Sequence, residues 1–124
     1  MHGYRVCWVQ INGRLSMGEN IADNGGIREA FRAYELYVRR HGEDKPLPGL
    51  TEFTQQQLFF LSFANGNCAH ARKESMALGL RVNVHSPFRY RVIGSLSNLQ
   101  AFRETWHCSD SPMAPNPEDT CTLW

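Results

Sequence analysis

The four cysteines, Cys7, Cys68, Cys108 and Cys121, include no C-x-x-C pair, which argues against a ribbon-type structural zinc site and against a thioredoxin-like redox motif. The chain also lacks H-E-x-x-H, the helical zinc pair, and it has neither a G-x-S-x-G elbow nor a P-loop. No apolar run approaches the roughly 18 residues of a membrane span, and no signal-like segment opens the sequence. Charge of one sign is missing too. The formal net charge is +1, with lysine and arginine scattered rather than clustered, so neither a nucleic acid nor another polyanion is an expected partner. Internal repeats and low-complexity tracts are absent.

What is present is the composition of a globular chain. At 42% hydrophobic and 20% charged the sequence is too apolar for disorder, and 124 residues suit one domain with a core of its own. Four cysteines permit two disulfides in three connectivities, or thiols in a reducing compartment. Composition leaves that choice open.

The pattern along the chain is mostly helical. The first ten residues, with Tyr4, Val6, Trp8 and Val9, read as a short strand, and Asn12-Gly13 as a turn. Ser16 with Glu19 three residues later has the form of a capping box. Ile27, Ala30, Phe31, Tyr34 and Val38 recur at spacings of three and four, the apolar face of a helix. Arg39, Arg40 and His41 suit its C-terminus, with Gly42 just beyond. Gly25-Gly26 within this run suggests a close approach by another backbone or a ligand, because each glycine costs a helix about 1 kcal/mol against alanine. Pro46-Leu47-Pro48-Gly49 is a loop. Thr54 with Gln57 opens a helix over residues 55–65 that is apolar nearly all round and is expected to be central and buried. A weaker helix follows over 72–80. Residues 82–97 read as extended, with Arg89-Tyr90-Arg91-Val92-Ile93 alternating like a strand. A short helix is expected over 98–106, then an irregular tail over 109–119, rich in proline and serine.

Chemistry-bearing residues are few. Glu19 and Asp23 stand four apart, so on a helix they share a face one turn apart. An acidic first turn that complements the helix dipole accounts for them, as does a metal-binding carboxylate with a second acid orienting a neighbouring ligand. Of the five histidines, His85 is set apart by its proline-fixed segment and by the nearby Arg89 and Arg91, cations that could stabilise an oxyanion. A loop histidine among solvated arginines is the plainer account. Ser86, directly beside His85, has poor geometry for a triad. The residues alone thus give an acidic helix and a His/Arg loop, with no nucleophile.

The motifs taken together are more specific. Gly18-Glu19-Asn20-Ile21-Ala22-Asp23-Asn24-Gly25-Gly26 resembles the signature of neprilysin-like zinc endopeptidases, the family that includes endothelin-converting enzymes. Further matches follow in order: Leu47-Pro48-Gly49-Leu50, Gln57-Leu58-Phe59-Phe60-Leu61, Val84-His85-Ser86-Pro87, Tyr90-Arg91-Val92 and Ser97-Asn98. Phe102, His107-Cys108, Met113, Pro117 and Cys121-Thr122-Leu123-Trp124 complete the series. The resemblance covers residues 12–124 and leaves 1–11 as an unmatched segment.

The resemblance implies a mainly α fold: the C-terminal helical portion of a thermolysin-like (gluzincin) metallopeptidase domain, with irregular loops and a short extended segment. It implies a metalloendopeptidase that cleaves peptides by zinc-activated water, with one Zn2+ per complete domain. Two zinc ligands and the general base come from an upstream H-E-x-x-H helix. Glu19 then corresponds to the third zinc ligand, and Asp23 to the acid that orients a zinc-bound histidine. His85 corresponds to the residue that stabilises the tetrahedral intermediate, and Arg91 to the one that binds the substrate's backbone carbonyl.

The chain departs from the family in places. Gly66 and Asn67 stand where Val-Trp usually walls a substrate pocket. Asn83 replaces an aspartate that orients the histidine, and Thr122 replaces a common basic residue. Family members pair the counterparts of Cys68, Cys108 and Cys121 with upstream cysteines, and Cys7 has no counterpart. The expectation is therefore a fragment of an extracellular or cell-surface ectodomain. It would act on peptide substrates, make no membrane contact of its own, need the upstream catalytic half, and be inactive alone. The alternative is a non-catalytic peptidase homologue acting as a binding or scaffold protein, which Gly66, Asn67 and Asn83 motivate.

Overall fold

The computed structural model describes residues 5, 6, 9–109, 111–114 and 120. Its order is a two-residue strand pair, β1 (Arg5–Val6) and β2 (Val9–Gln10), then α1 (Gly13–His41), α2 (Gln55–Gly66), α3 (Lys73–Val82), α4 (Phe88–Ser97) and α5 (Gln100–Trp106). β1 and β2 are antiparallel, with Arg5 opposite Gln10 and Val6 opposite Val9. The fold is mainly α, as expected.

Asn12, not Ser16, caps α1. The Asn12 Oδ1 accepts from the backbone N–H groups of Arg14 (3.2 Å) and Leu15 (3.3 Å), two of the donors left over at any helix start. Ser16 lies inside the helix, 1% exposed, and its hydroxyl donates to the Asn12 carbonyl at 3.2 Å, the back-bonding available to a mid-helix serine. The capping-box reading of Ser16 and Glu19 is therefore corrected. At the other end Gly42 has φ +83°, and its N–H bonds to the Val38 carbonyl at 2.8 Å. The left-handed conformation favours glycine there. A Pro48-Gly49 turn follows, with Gly49 at φ +81° and Leu50 N–H donating to the Leu47 carbonyl at 3.0 Å, the proline–glycine pattern of a type II turn.

The Thr54 capping box is present in both directions: the Thr54 hydroxyl accepts from Gln57 N–H, and the Gln57 side chain accepts from Thr54 N–H. The helix it opens is less enclosed than expected. Phe60 is 1% exposed, yet Leu61 is 38% exposed, because among the described residues neighbours cover one side of α2 only.

The largest correction concerns residues 88–97, which form α4 rather than an extended segment. Five alternating residues fit a strand, but Pro87 suits the start of a helix, and Val92, Leu96 and Leu99 continue at helical spacing. Leu96 and Leu99 join Ile27, Phe31 and Phe60 in the buried core, so packing decided the period. The extended element lies instead at β1 and β2.

The core is aromatic. Phe31 of α1 stacks on Phe60 of α2, with centroids 5.0 Å apart and planes 17° apart, and Phe102 of α5 meets Phe60 edge-on at 5.4 Å. Phe59 contacts Phe31, Phe60 and Tyr34. The close approach expected at the paired glycines is not made at Gly26, where an added methyl group would meet nothing within 4 Å among the described residues. The irregular tail is described only at 109, 111–114 and 120; the endings at Pro117 and Cys121-Thr122-Leu123-Trp124 lie outside the described residues, as does Cys7.

Phe60→Ala is expected to destabilise the chain by about 3–5 kcal/mol through the cavity it leaves, and Thr54→Ala by about 1 kcal/mol, both read from urea midpoints. Burial first, then the charges of Glu43 and Asp44, push the Tyr34 phenol above its ordinary 10.0. A phenol held protonated in the folded state contributes stability below the unfolded value that is lost as pH rises through the folded one. Tyr34→Phe should accordingly flatten the alkaline fall in urea midpoint above about pH 10.

Candidate functional site

The site lies where α1 meets the segment that leads into α4. On α1, Ser16, Asn20, Ile27 and Phe31 are spaced four, seven and four apart, which places them on one stripe at 100° per residue. Ser16, Ile27 and Phe31 are buried. Glu19, Asp23 and Asn24 flank that stripe. On the facing side, α3 ends at Val82 with Asn83 as its C-cap, and Val84, His85, Ser86 and Pro87 lead into α4. Ser86 precedes a proline and is thereby held out of the helical region, while the Pro87 carbonyl accepts from the N–H groups of Tyr90 (2.7 Å) and Arg91 (3.2 Å). Arg91 thus sits in the first turn of α4.

Four polar residues of α1 each find a partner on this segment, in α4 or just beyond it. The Glu19 Oε2 lies 3.1 Å from the His85 Nε2, both side chains about two-fifths exposed (41% and 40%). The contact is an ion pair when the imidazole is protonated. Asp23 receives Arg91 through both oxygens: Arg91 Nε donates to Oδ2 at 2.7 Å and Nη2 to Oδ1 at 2.6 Å. These side chains are 15% and 24% exposed, so this is the stronger, less screened pair. Asn20 Oδ1 accepts from the Ser86 hydroxyl at 2.8 Å, and Asn24 Oδ1 accepts from Asn98 Nδ2 at 2.9 Å.

The electrostatics follow. Hydrogen bonding to Asp23 raises the Arg91 pKa, which burial opposes and the charges of Asp23 and Glu19 support. A cation with a raised folded pKa contributes its stability at every pH below the ordinary arginine value and loses it only above, so the guanidinium stays charged across the neutral range. Asn83, which stands where the family resemblance expects an aspartate, does not reach the imidazole; its Oδ1 accepts from the His85 backbone N–H at 2.9 Å. The negative charge beside the ring comes instead from Glu19.

Glu19, Asp23, His85 and Arg91 therefore meet on one face. Arg89 does not join them: it is exposed, so the expected pair of cations reduces to Arg91. Gly66 and Asn67 bond locally at the end of α2, Asn67 Nδ2 donating to the Phe63 carbonyl at 3.0 Å. Sequence reasoning missed roles for Asn20, Asn24, Ser86 and Asn98. The signal was available, since each asparagine of α1 directly follows an acid of the same motif.

The donor set does not, among the described residues, make a complete zinc site. Among the described residues no three His, Cys, Asp or Glu side chains gather, whereas tetrahedral zinc at a catalytic centre takes three protein ligands. Cys68, exposed, and Cys108, half-buried, are free thiols here. Among the described residues no helix is long and apolar enough to cross a membrane.

The chain is 48% identical over 122 residues to endothelin-converting enzyme 1 of Bos taurus, covering 98% of this chain and 16% of that protein. It is 45% identical over 114 residues to human neprilysin, covering 92% and 15%, and 44% identical over 116 residues to neprilysin-11 of Caenorhabditis elegans, covering 93% and 13%. It thus spans about one-sixth or less of the length of these relatives. Among solved structures, the zinc metalloprotease Zmp1 of Mycobacterium tuberculosis in its open state matches with a TM-score of 0.80 and 28% identity, over 93% of this chain and 17% of that one. Residues 2–121 match peptidase family M13, and the chain belongs to that family of zinc metallopeptidases.

Proposed function

We propose that this chain is the C-terminal, substrate-side part of the catalytic domain of a zinc metalloendopeptidase acting on peptides, and that it is inactive by itself. The observation that carries the reading is the pairing of Glu19 with His85 and of Asp23 with Arg91 on one face, in a chain of family M13. Glu19 is the one carboxylate this chain would offer to zinc; the remaining ligands would come from outside it. The incomplete donor set supports the claim of inactivity.

The chain's own residues suit the substrate side. Asp23 uses the Nε and Nη2 donors of Arg91 and fixes the plane of the guanidinium. Nη1 has no acceptor among the described residues, which leaves a charged, pre-oriented donor for a peptide carbonyl. His85 offers an imidazole N–H, the type of donor that stabilises an oxyanion. Asp23 thereby supports the substrate-binding arginine, besides the histidine-orienting role that the resemblance implies. The cell-surface or extracellular setting belongs to the same proposal. In it, Cys68 and Cys108 would pair with cysteines outside this chain.

Two measurements test this. The purified chain, given zinc and a fluorogenic peptide, is expected to retain no stoichiometric metal and to show no hydrolysis. Tight one-to-one zinc with peptide cleavage would sink the claim of incompleteness. In urea titrations Asp23→Ala is expected to cost about 2–3 kcal/mol, because it strands a partly buried guanidinium. The Asp23→Ala/Arg91→Ala double variant should cost less than the sum of the singles by about 1–2 kcal/mol. Glu19→Ala, whose pair is far more exposed, should cost about 1 kcal/mol or less; equal costs at the two acids would remove Arg91's claim to a fixed orientation.

A further inference from the structure

Two arrangements of short polar side chains bracket the site. On one side the Ser86 hydroxyl, in a residue 8% exposed, donates to Asn20 Oδ1 at 2.8 Å. Asn20 Nδ2 donates in turn to the Ser16 hydroxyl at 3.2 Å, and that hydroxyl donates to the Asn12 carbonyl at 3.2 Å. On the other side Asn98 Nδ2 donates to Asn24 Oδ1 at 2.9 Å, and Asn24 Nδ2 donates to the Asn20 carbonyl at 2.7 Å. The orientation of the Asn24 amide is not free: flipping it would set its oxygen against that carbonyl. Ser86 lies just before α4 and Asn98 just after it.

We propose that the Asn20–Ser86 and Asn24–Asn98 hydrogen bonds are positioning contacts that set how α4 crosses α1, bringing His85 to Glu19 and Arg91 to Asp23. One hydrogen bond fixes a point. Two, at opposite ends of α4, fix both the sliding and the angle of one helix on the other. The contacts advance twelve residues along the α4 segment, from 86 to 98, but only four along α1, from 20 to 24, so the helices cross rather than run side by side. A crossing needs a second anchor to hold its angle.

The ion pairs cannot set this register by themselves. Arginine's long side chain follows a displaced backbone through rotamer changes, and the Glu19–His85 pair is too exposed to impose geometry. Serine and asparagine side chains are short, so their hydrogen bonds survive little backbone displacement. Ser86 is adjacent to His85 and is held by the following proline, so pinning Ser86 pins His85. The catalytic meaning of these contacts rests on the metallopeptidase reading above; the contacts themselves do not.

The test uses NMR on the 15N-labelled 124-residue chain without metal or peptide, so it stands apart from any failure of the peptidase reading. Ser86→Ala is expected to keep its helical circular dichroism, to lose the nuclear Overhauser contact between the His85 ring and the Glu19 side chain, and to speed exchange of the Arg91 Nε–H at least tenfold. Ser86→Thr, which keeps the hydroxyl, should restore both signals. Asn98→Ala should speed Arg91 exchange while sparing the His85 contact more. Thr54→Ala, a destabilised control away from this face, should leave both signals unchanged. Persistence of both contacts in Ser86→Ala and Asn98→Ala overturns the proposal, as does equal loss in Thr54→Ala. If Ser86→Ala does not fold, Asn98→Ala decides alone: faster Arg91 exchange at intact helicity supports the proposal, and unchanged exchange overturns it.

Discussion

The bidentate pair between Asp23 and Arg91 is the contact on which this site depends. It joins residues 68 apart in sequence through two short, charge-assisted bonds, in a setting shielded enough that salt screens it weakly. A guanidinium taken this far out of water needs its partner. Asp23 and Arg91 are therefore better understood as one unit than as an acid and a base with separate duties. The Glu19–His85 pair beside it differs in kind: half in water, it joins two groups of catalytic type without holding them rigidly.

Beneath these pairs lies the aromatic cluster of Phe31, Phe60, Phe59 and Phe102, with Leu96 and Leu99 from the α4 side. α1 serves both layers. Its stripe from Ser16 to Phe31 runs from polar contacts with the His85 segment into the apolar core, so packing at Ile27 and Phe31 also determines where Glu19 and Asp23 lie. Relatives in family M13 are more than six times as long as this chain where it covers 13–16% of them. Gly18, Ala22 and Gly26 of α1 are exposed among the described residues.

Much of this is legible in the sequence. Motif order singles out the acids at 19 and 23, the histidine at 85 and the arginine at 91, and the structure brings all four together. The cap at Thr54 was legible because capping is local chemistry, completed within four residues. The cap of α1 at Asn12 is hidden in the sequence because Asn12-Gly13 also signals a turn, and Ser16 offers an equally local alternative four residues later. The period of residues 89–93 is ambiguous in the sequence, because five residues fit two periodicities. Only the burial of Leu96 and Leu99 against α1 and α2 selects the helical one.

The sequence by itself determined the family, the mainly helical composition and the identity of the four charged or titratable residues, because motifs and local propensities are written in neighbouring positions. Only the tertiary structure decided who pairs with whom. That Arg91 meets Asp23 while Arg89 faces solvent, that Asn83 binds the His85 backbone rather than its ring, and that two asparagines bind Ser86 and Asn98 all follow from the crossing of α1 and α4. That crossing is a contact between segments more than 60 residues apart, brought together by shared burial and held in register by side chains from both, and no local pattern in either segment encodes it.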